Sequence, residues 1–450
     1  MYKPYITPVI KVSPDVKVTE PKISGLILFI VRLLSKPYLI YLFGFAKVIL
    51  RGDNILFETF KRSLSKESRV LIAFRHPDGR EPQLLAWFFL FKLKKLATKK
   101  RIKFPVKPHA IFIYGYEVAR WGGPFARFFM PNIGAIPIHH TKLDSKGMAR
   151  IYRSITEGPY PVVLAPEGQV SYNIESVPRL EPGVIRIGFQ AASQLAEKNN
   201  ESPVEILPLS IHFRYGSHGK AAMEKLLKKT EKMCGIYGQS VCCFRMRLEK
   251  CRDFILEVNE KRYNINTDTS LSFEQRLETM TNAALQAAER MLGLKSEGEF
   301  FMRLYKVRHE CWDRIFLPDM EKLRDFPKIK RSIKDLGAGE AWFISRHQEL
   351  ADFSWYFKNP VPAEETALHL KVEYVQNLWD FANRSMGGTI TTRVNILPKK
   401  IIIQAAPVLE LTSRLDEYKK DKKNTISAVL SQLEEAYINC INEIKINERM

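Results

Sequence analysis

The stretch RVLIAFRHPDGREPQLLAW, residues 69–87, decides how the chain is read. Its opening, RVLIAF, is an apolar run of strand length and reads as a buried β-strand. Pro77, Asp78 and Gly79 then favour a turn. Pro82 sits where the first turn of a helix tolerates proline, and the helical pattern EPQLLAWFFLFKLKKLA follows. His76 therefore falls at the carboxyl end of a strand, the edge at which open α/β sheets gather ligands. Glu81 falls at or just before a helix N-terminus.

The same alternation continues outward. AIFIYG (110–115), GAIPI (134–138), PVVLAP (161–166) and VEILPLSI (204–211) read as further buried strands. KGMARIYRSITEG and PGVIRIGFQAASQLAEKNN read as helices between them. This alternation implies an α/β domain over residues 53–265, with a largely parallel sheet flanked by helices. Residues 266–450 read as a mainly helical C-terminal region. There SFEQRLETMTNAALQAAERMLG opens on a capping box, Ser272 with Gln275. Phe273, Leu277, Met280, Ala284 and Met291 follow on one helix face. KKIIIQAAPVLEL is a candidate strand inside that helical region.

Composition narrows the class. The 450 residues suffice for more than one domain. A net charge of +21 and a pI of about 9.6 point to an anionic partner. Six cysteines without a C-x-x-C pair read as reduced thiols, with no disulfide framework or zinc site. Residues 1–24 lack the apolar core of a secretory signal and read as an extended or disordered leader.

Residues 25–52, GLILFIVRLLSKPYLIYLFGFAKVILRG, are strongly apolar, but Arg32, Lys36 and Lys47 interrupt them. No uncharged run approaches the roughly 20 residues that span a bilayer. Pro37 is expected to break any helix here. Two short helices in a membrane interface, on the cytoplasmic face, fit this pattern. A pair of buried core helices is the competing reading.

An imidazole with a pKa near neutrality suits general-base work. A carboxylate can hold one ring nitrogen and stabilise the imidazolium. Glu81 is the candidate orienter of His76, and Asp78 is its rival. A surface histidine followed by a helix-capping glutamate is the plainer alternative.

Downstream lie GAIPIHH, LAPEGQVS, LEPGVIRIGFQAA and EILPLSIHF, in that order. With residues 76–81 they resemble the glycerophospholipid acyltransferase family, whose type member acylates lysophosphatidic acid. That family carries H-x-x-x-x-D between a strand and a helix, then a Gly-rich segment ending in Arg. An F-P-E-G-T-R-S-like turn and an apolar strand with a central Pro follow. The counterparts here are residues 76–81, 134–140, 165–171 and 204–211, so the resemblance covers roughly residues 68–215.

Three of those four blocks depart from that pattern. Glu81 stands in place of Asp, as in the H-x-x-x-x-E of late lipid A acyltransferases. Gln169 and Val170 replace Thr-Arg, and His140 replaces Arg. The two arginines that the resemblance assigns to an acceptor phosphate are thus absent. Lys142, Arg153 and Arg179 are nearby cations able to stand in. Otherwise the acceptor is an amino-lipid, a glycolipid or another lyso-lipid hydroxyl.

The resemblance implies direct acyl transfer from acyl-coenzyme A or acyl–acyl carrier protein as co-substrate. His76 would be the base and Glu81 its orienter. Glu167, Gly168, Gly134, Arg179 and Lys142 would form the substrate site, with backbone N–H groups near a helix start holding the oxyanion. No further cofactor and no metal is implied. His139 and His140 are adjacent, a poor chelating geometry.

The segment FKLKKLATKKRIKFPVK carries eight bases and no acid. It suits anionic headgroups, coenzyme A phosphates or an acidic carrier protein, and a solvated basic face is the plain alternative. Two rival functions remain in view. One is a catalytically divergent membrane-binding scaffold of the same fold. The other is a nucleic-acid binder, prompted by charge alone and without a recognition signature, so no nucleic-acid partner is expected.

Overall fold

The structure, a computed structural model, describes residues 10–16, 19–43, 47–139, 144–237, 243–318 and 326–449. The chain forms two compact units. Val18–Gly219 with Leu397–Met450 make one, and Met1–Lys17 with Lys220–Ile396 make the other.

The first unit is built on an eight-stranded sheet. Its strands are β1 (Lys47–Arg51), β2 (Arg69–Phe74), β3 (Ile111–Gly115) and β4 (Ile136–Ile138), then β5 (Val162–Leu164), β6 (Val204–Arg214), β7 (Lys400–Ala405) and β8 (Leu409–Glu410). Their order is β1-β7-β6-β2-β5-β3-β4, with β8 beside β6. From β6 to β4 every pairing is parallel. β7 and β8 run antiparallel to β6, and β1 lies parallel to β7. The fold is therefore α/β, with a mostly parallel mixed sheet.

β2 sits centrally, between β6 and β5, and all six of its residues are buried. A strand covered on both faces has no polar side to present, so RVLIAF shows no alternation. The helices of this unit are α1 (Gly25–Phe43), α2 (Asp53–Leu64), α3 (Glu81–Trp87), α4 (Leu93–Lys99), α5 (Tyr116–Trp121), α6 (Gly123–Asn132), α7 (Ser145–Thr156) and α8 (Gly183–Glu197). A π-helical turn, Phe88–Lys92, joins α3 to α4, and Phe88 and Phe89 are both fully buried. One face of the sheet packs on Leu56, Phe57 and Phe60 of α2 and on Leu84 and Leu85 of α3. The other packs on Ile151, Val184 and Phe189, and on Leu433 and Tyr437 of the closing helix Lys422–Arg449.

The second unit is mainly helical. Phe273–Leu292 and Phe300–Ile315 pack on the long helix Lys328–Tyr356, and Phe244–Arg262 packs on Leu368–Ser385. The Ser272–Gln275 capping box is present. Leu277, Met280 and Ala284 are buried, whereas Met291 is exposed because it lies in the last turn, past the packed stretch.

Several sequence expectations change. KKIIIQAAPVLEL does not sit within a helical domain: it supplies β7 and β8 to the main sheet. The compact units divide after residues 17, 219 and 396. Residues 47–51 are not part of an interface helix but form strand β1, because VIL pairs with Ile401–Ile403 of β7. Gly25–Phe43 is one helix, and its backbone continues through Pro37.

Gly52 connects β1 to α2 with φ +65°. A Cβ there would collide with the Ala405 carbonyl oxygen of β7. Gly52→Ala should therefore destabilise the protein by at least about 2 kcal/mol, read from urea unfolding.

Candidate active site

β2 ends at Phe74, and His76 follows at the carboxyl edge of the sheet. Gly79, at φ +102°, lets the chain turn back before α3 begins. That turn brings Glu81 Oε2 to 2.7 Å from His76 Nδ1. The same carboxylate accepts the N–H groups of Asp78 and Gly79, each at 2.9 Å. Glu81 is fully buried, while the His76 side chain keeps 15% of its surface exposed. Asp78, the rival partner, is instead ion-paired with Arg80.

A carboxylate can only accept, so Nδ1 carries the hydrogen in this pair. The neutral imidazole then presents a lone pair at Nε2. Among the described residues, no hydrogen bond engages Nε2. Burial opposes a charged imidazole, but the hydrogen bond and charge of Glu81, with Glu167 and Asp78 nearby, outweigh it. The His76 pKa is held above its ordinary 6.5.

Beneath the pair lies a group that the sequence did not single out. Arg75 is fully buried. Its Nε donates to Glu167 Oε1 at 3.1 Å. Nη1 donates to the Ile174 carbonyl, and Nη2 to those of Asn173 and Ser176, at 2.7–2.9 Å. The other Glu167 oxygen accepts the His76 N–H at 3.0 Å. The Ser171 N–H closes the other side, on the His76 carbonyl at 2.9 Å. Both oxygens of Glu167 are thus engaged inside the protein. It shapes the site from within, and is not positioned as a contact for an acceptor. The clue in the sequence was an arginine directly after the apolar run VLIAF, where a buried charge needs a partner.

The closing helix supports the same edge. The Tyr437 hydroxyl donates to the Ala73 carbonyl at 2.9 Å. Burial pushes its pKa well up, so it remains a donor.

The remaining candidates divide. Gly168, at φ +72°, shapes the 165–171 turn, and Val170 packs 3.5 Å from the Cβ position of Gly79. Arg179 is near that turn, since the Glu181 N–H bonds the Pro166 carbonyl at 2.6 Å. Arg179 is exposed and paired with Glu181.

Gly134 is elsewhere. The β3–β4 register, Ile113 opposite Ile136, sets it level with Ile111. It therefore lies about 16 Å along the strand direction from the level of His76, at the amino edge. A Cβ there would press on Ile23 and Ile111, so its smallness serves packing and not the candidate site. Arg153, in the last turn of α7, lies toward that same far edge. His139 stacks on Tyr116, with ring centroids 4.2 Å apart. His140 and Lys142 fall outside the described residues.

The basic run after Lys92 is exposed at Lys94, Lys95 and from Lys99 to Arg101. It lies roughly 28 Å down the helix from Glu81, beside Asp53 at the amino edge. The Asp78 and Gly79 amides, near the helix start, are occupied by Glu81, so the expected oxyanion donors are not these two. A shallow cleft between α7 and α8, lined by Met148, Tyr152, Arg153 and Gln194, contains none of the His76 cluster. Among the described residues no group of His, Cys, Asp or Glu could hold a metal ion.

No protein-family model matches the chain, and no curated protein matches it.

Glu167→Gln leaves the Arg75 guanidinium buried without its carboxylate. The expected cost is about 3–5 kcal/mol of unfolding free energy. In the double variant Arg75→Met/Glu167→Gln the loss should be only partly recovered, because the Ile174, Asn173 and Ser176 carbonyls then lack their donor, which denaturant titration can measure.

Proposed function

We propose that the chain is a membrane-associated acyltransferase. It moves a fatty acyl group from an acyl thioester to a lipid hydroxyl, that of a lyso-phospholipid or another lyso-lipid. The observation that carries this reading is the buried Glu81 carboxylate on His76 Nδ1, which turns a basic Nε2 to the carboxyl edge of the sheet. The acyltransferase-like fold belongs to the same proposal. It is supported by the meeting of the 76–81 and 165–171 segments, through Arg75–Glu167 and Ser171–His76.

In this mechanism Nε2 of His76 takes the proton of the acceptor hydroxyl. The oxygen attacks the thioester carbonyl carbon, and the tetrahedral intermediate collapses with cleavage of the C–S bond. The leaving thiolate takes the proton back from the imidazolium. Glu81 stabilises the charged ring between these steps. Coenzyme A and acyl carrier protein thioesters both satisfy the chemistry.

A phosphate-bearing acceptor would meet Arg179, the cation by the 165–171 turn. No described helix is long and apolar enough to cross a membrane. Association is therefore proposed at the interface, on the cytoplasmic face, in keeping with the free thiols of Cys234, Cys243, Cys251, Cys311 and Cys440.

The test is acyl transfer by detergent-purified protein, with both donor types and a panel of lyso-lipids. His76→Ala should lower kcat/KM by about 10²–10⁴-fold. The base works only when neutral, so the rate should fall as pH drops through a midpoint above 6.5. Glu81→Gln removes the partner charge, and should move that midpoint down while slowing turnover. Transfer that survives His76→Ala overturns the mechanism. Absence of transfer to every acceptor favours the scaffold.

A further inference from the structure

The sheet unit leaves two stripes of large apolar side chains uncovered. On α1, Leu26, Phe29 and Leu33 are 68%, 62% and 67% exposed. Their spacing places them on one helix face, while Ile27 is buried. Trp121 at the end of α5 is 46% exposed, and Phe125 and Phe128, three residues apart on α6, are 61% and 53% exposed. The two stripes are fastened together at one end. The Lys22 N–H donates to the Pro131 carbonyl at 2.8 Å, and the Ser24 N–H to that of Asn132 at 2.9 Å.

Charge says what covers them. From Lys22 to Lys47 the sequence holds four bases and no acid. α5 and α6 together hold Arg120 and Arg127 against the single acid Glu117. A second copy would set the acid-free basic α1 segment against its own like, which like-charge repulsion disfavours. An anionic leaflet is complementary: its headgroups meet the bases, and its acyl boundary takes Trp and Phe. α5 starts directly after β3, at the same edge of the sheet as His76.

We propose that the α5–α6 hairpin is a second lipid-docking element, acting with α1 to seat this unit on a leaflet that contains anionic lipid. The inference shares the membrane setting of the proposed function, but it is read without turnover, so the two can fail separately.

The experiment is co-sedimentation of the full chain with phosphatidylcholine vesicles, with and without phosphatidylglycerol. Phe125→Ser/Phe128→Ser and Phe29→Ser/Leu33→Ser run beside wild type, and thermal melts confirm that each variant folds. Each double variant should weaken partition by at least about tenfold. Wild type should bind the anionic vesicles more tightly and lose that preference in high salt. Turnover of a water-soluble short-chain acceptor should be unchanged by Phe125→Ser/Phe128→Ser. Wild-type partition by that variant overturns the proposal. So does a wild type that ignores vesicles and self-associates through Phe125 and Phe128. Loss of turnover with normal lipid binding would count against acyl transfer alone.

Discussion

The Arg75–Glu167 pair is the constraint on which the candidate site depends. A guanidinium with no exposed surface is costly to bury unless it is paired and its hydrogen bonds are met. Arg75 meets that demand with Glu167 and the carbonyls of Ile174, Asn173 and Ser176. Those partners lie more than ninety positions along the chain. The 165–176 segment must therefore fold against the end of β2, or the charge is left unpaired. Once it does, Glu167 takes the N–H of His76 and Ser171 reaches its carbonyl. The backbone of His76 is held on both sides before its ring does anything, which is the support a reacting side chain needs. The same loop carries Arg179, so one buried interaction positions both the His76 backbone and the segment that bears this exposed cation.

The sequence disclosed local chemistry better than pairing. Residues 69–87 could be read because strand, turn and helix each follow from adjacent side chains. The His76–Glu81 contact spans one turn and needs no distant partner. Arg75 was passed over because an arginine after an apolar run shows only that a partner is needed, and that partner, Glu167, lies 92 positions away. β1 was missed for the same reason, and β7 was read as a strand but assigned to the helical region. VIL beside Gly52 and III beside Lys400 do not reveal their partnership until they pair with each other across most of the chain. Gly134 was grouped with the site because residues 134–140 were taken as the second block of the resemblance. Strand direction separates the two ends of that segment, and Gly134 lies at the wrong one. Sequence spacing carries no sign for direction until the register is known.

The terminal helix shows how far this non-locality reaches. Its periodicity promised a helix and was silent about what it covers. Tyr437 ends on the Ala73 carbonyl, one residue before β2 finishes. Lys445 lies 3.3 Å from Glu175, in the segment whose neighbouring carbonyls receive Arg75. Residues 397–450 are thus part of the unit that holds the His76 pair, and any activity at that pair depends on a chain end far from it in sequence.

The extra methylene at position 81 has a geometric consequence. Glu81 is the first residue of α3, and its carboxylate folds back over the turn that precedes it. There it satisfies two backbone amides of the turn as well as the imidazole. A shorter aspartate rooted at the same Cα would withdraw from all three donors at once. The length of the glutamate is therefore matched to where this helix begins. The first helical turn also favours a negative side chain, because unpaired N–H groups gather there. Position, length and charge at residue 81 converge on one outcome, an imidazole whose Nδ1 hydrogen is fixed and whose other nitrogen is left basic.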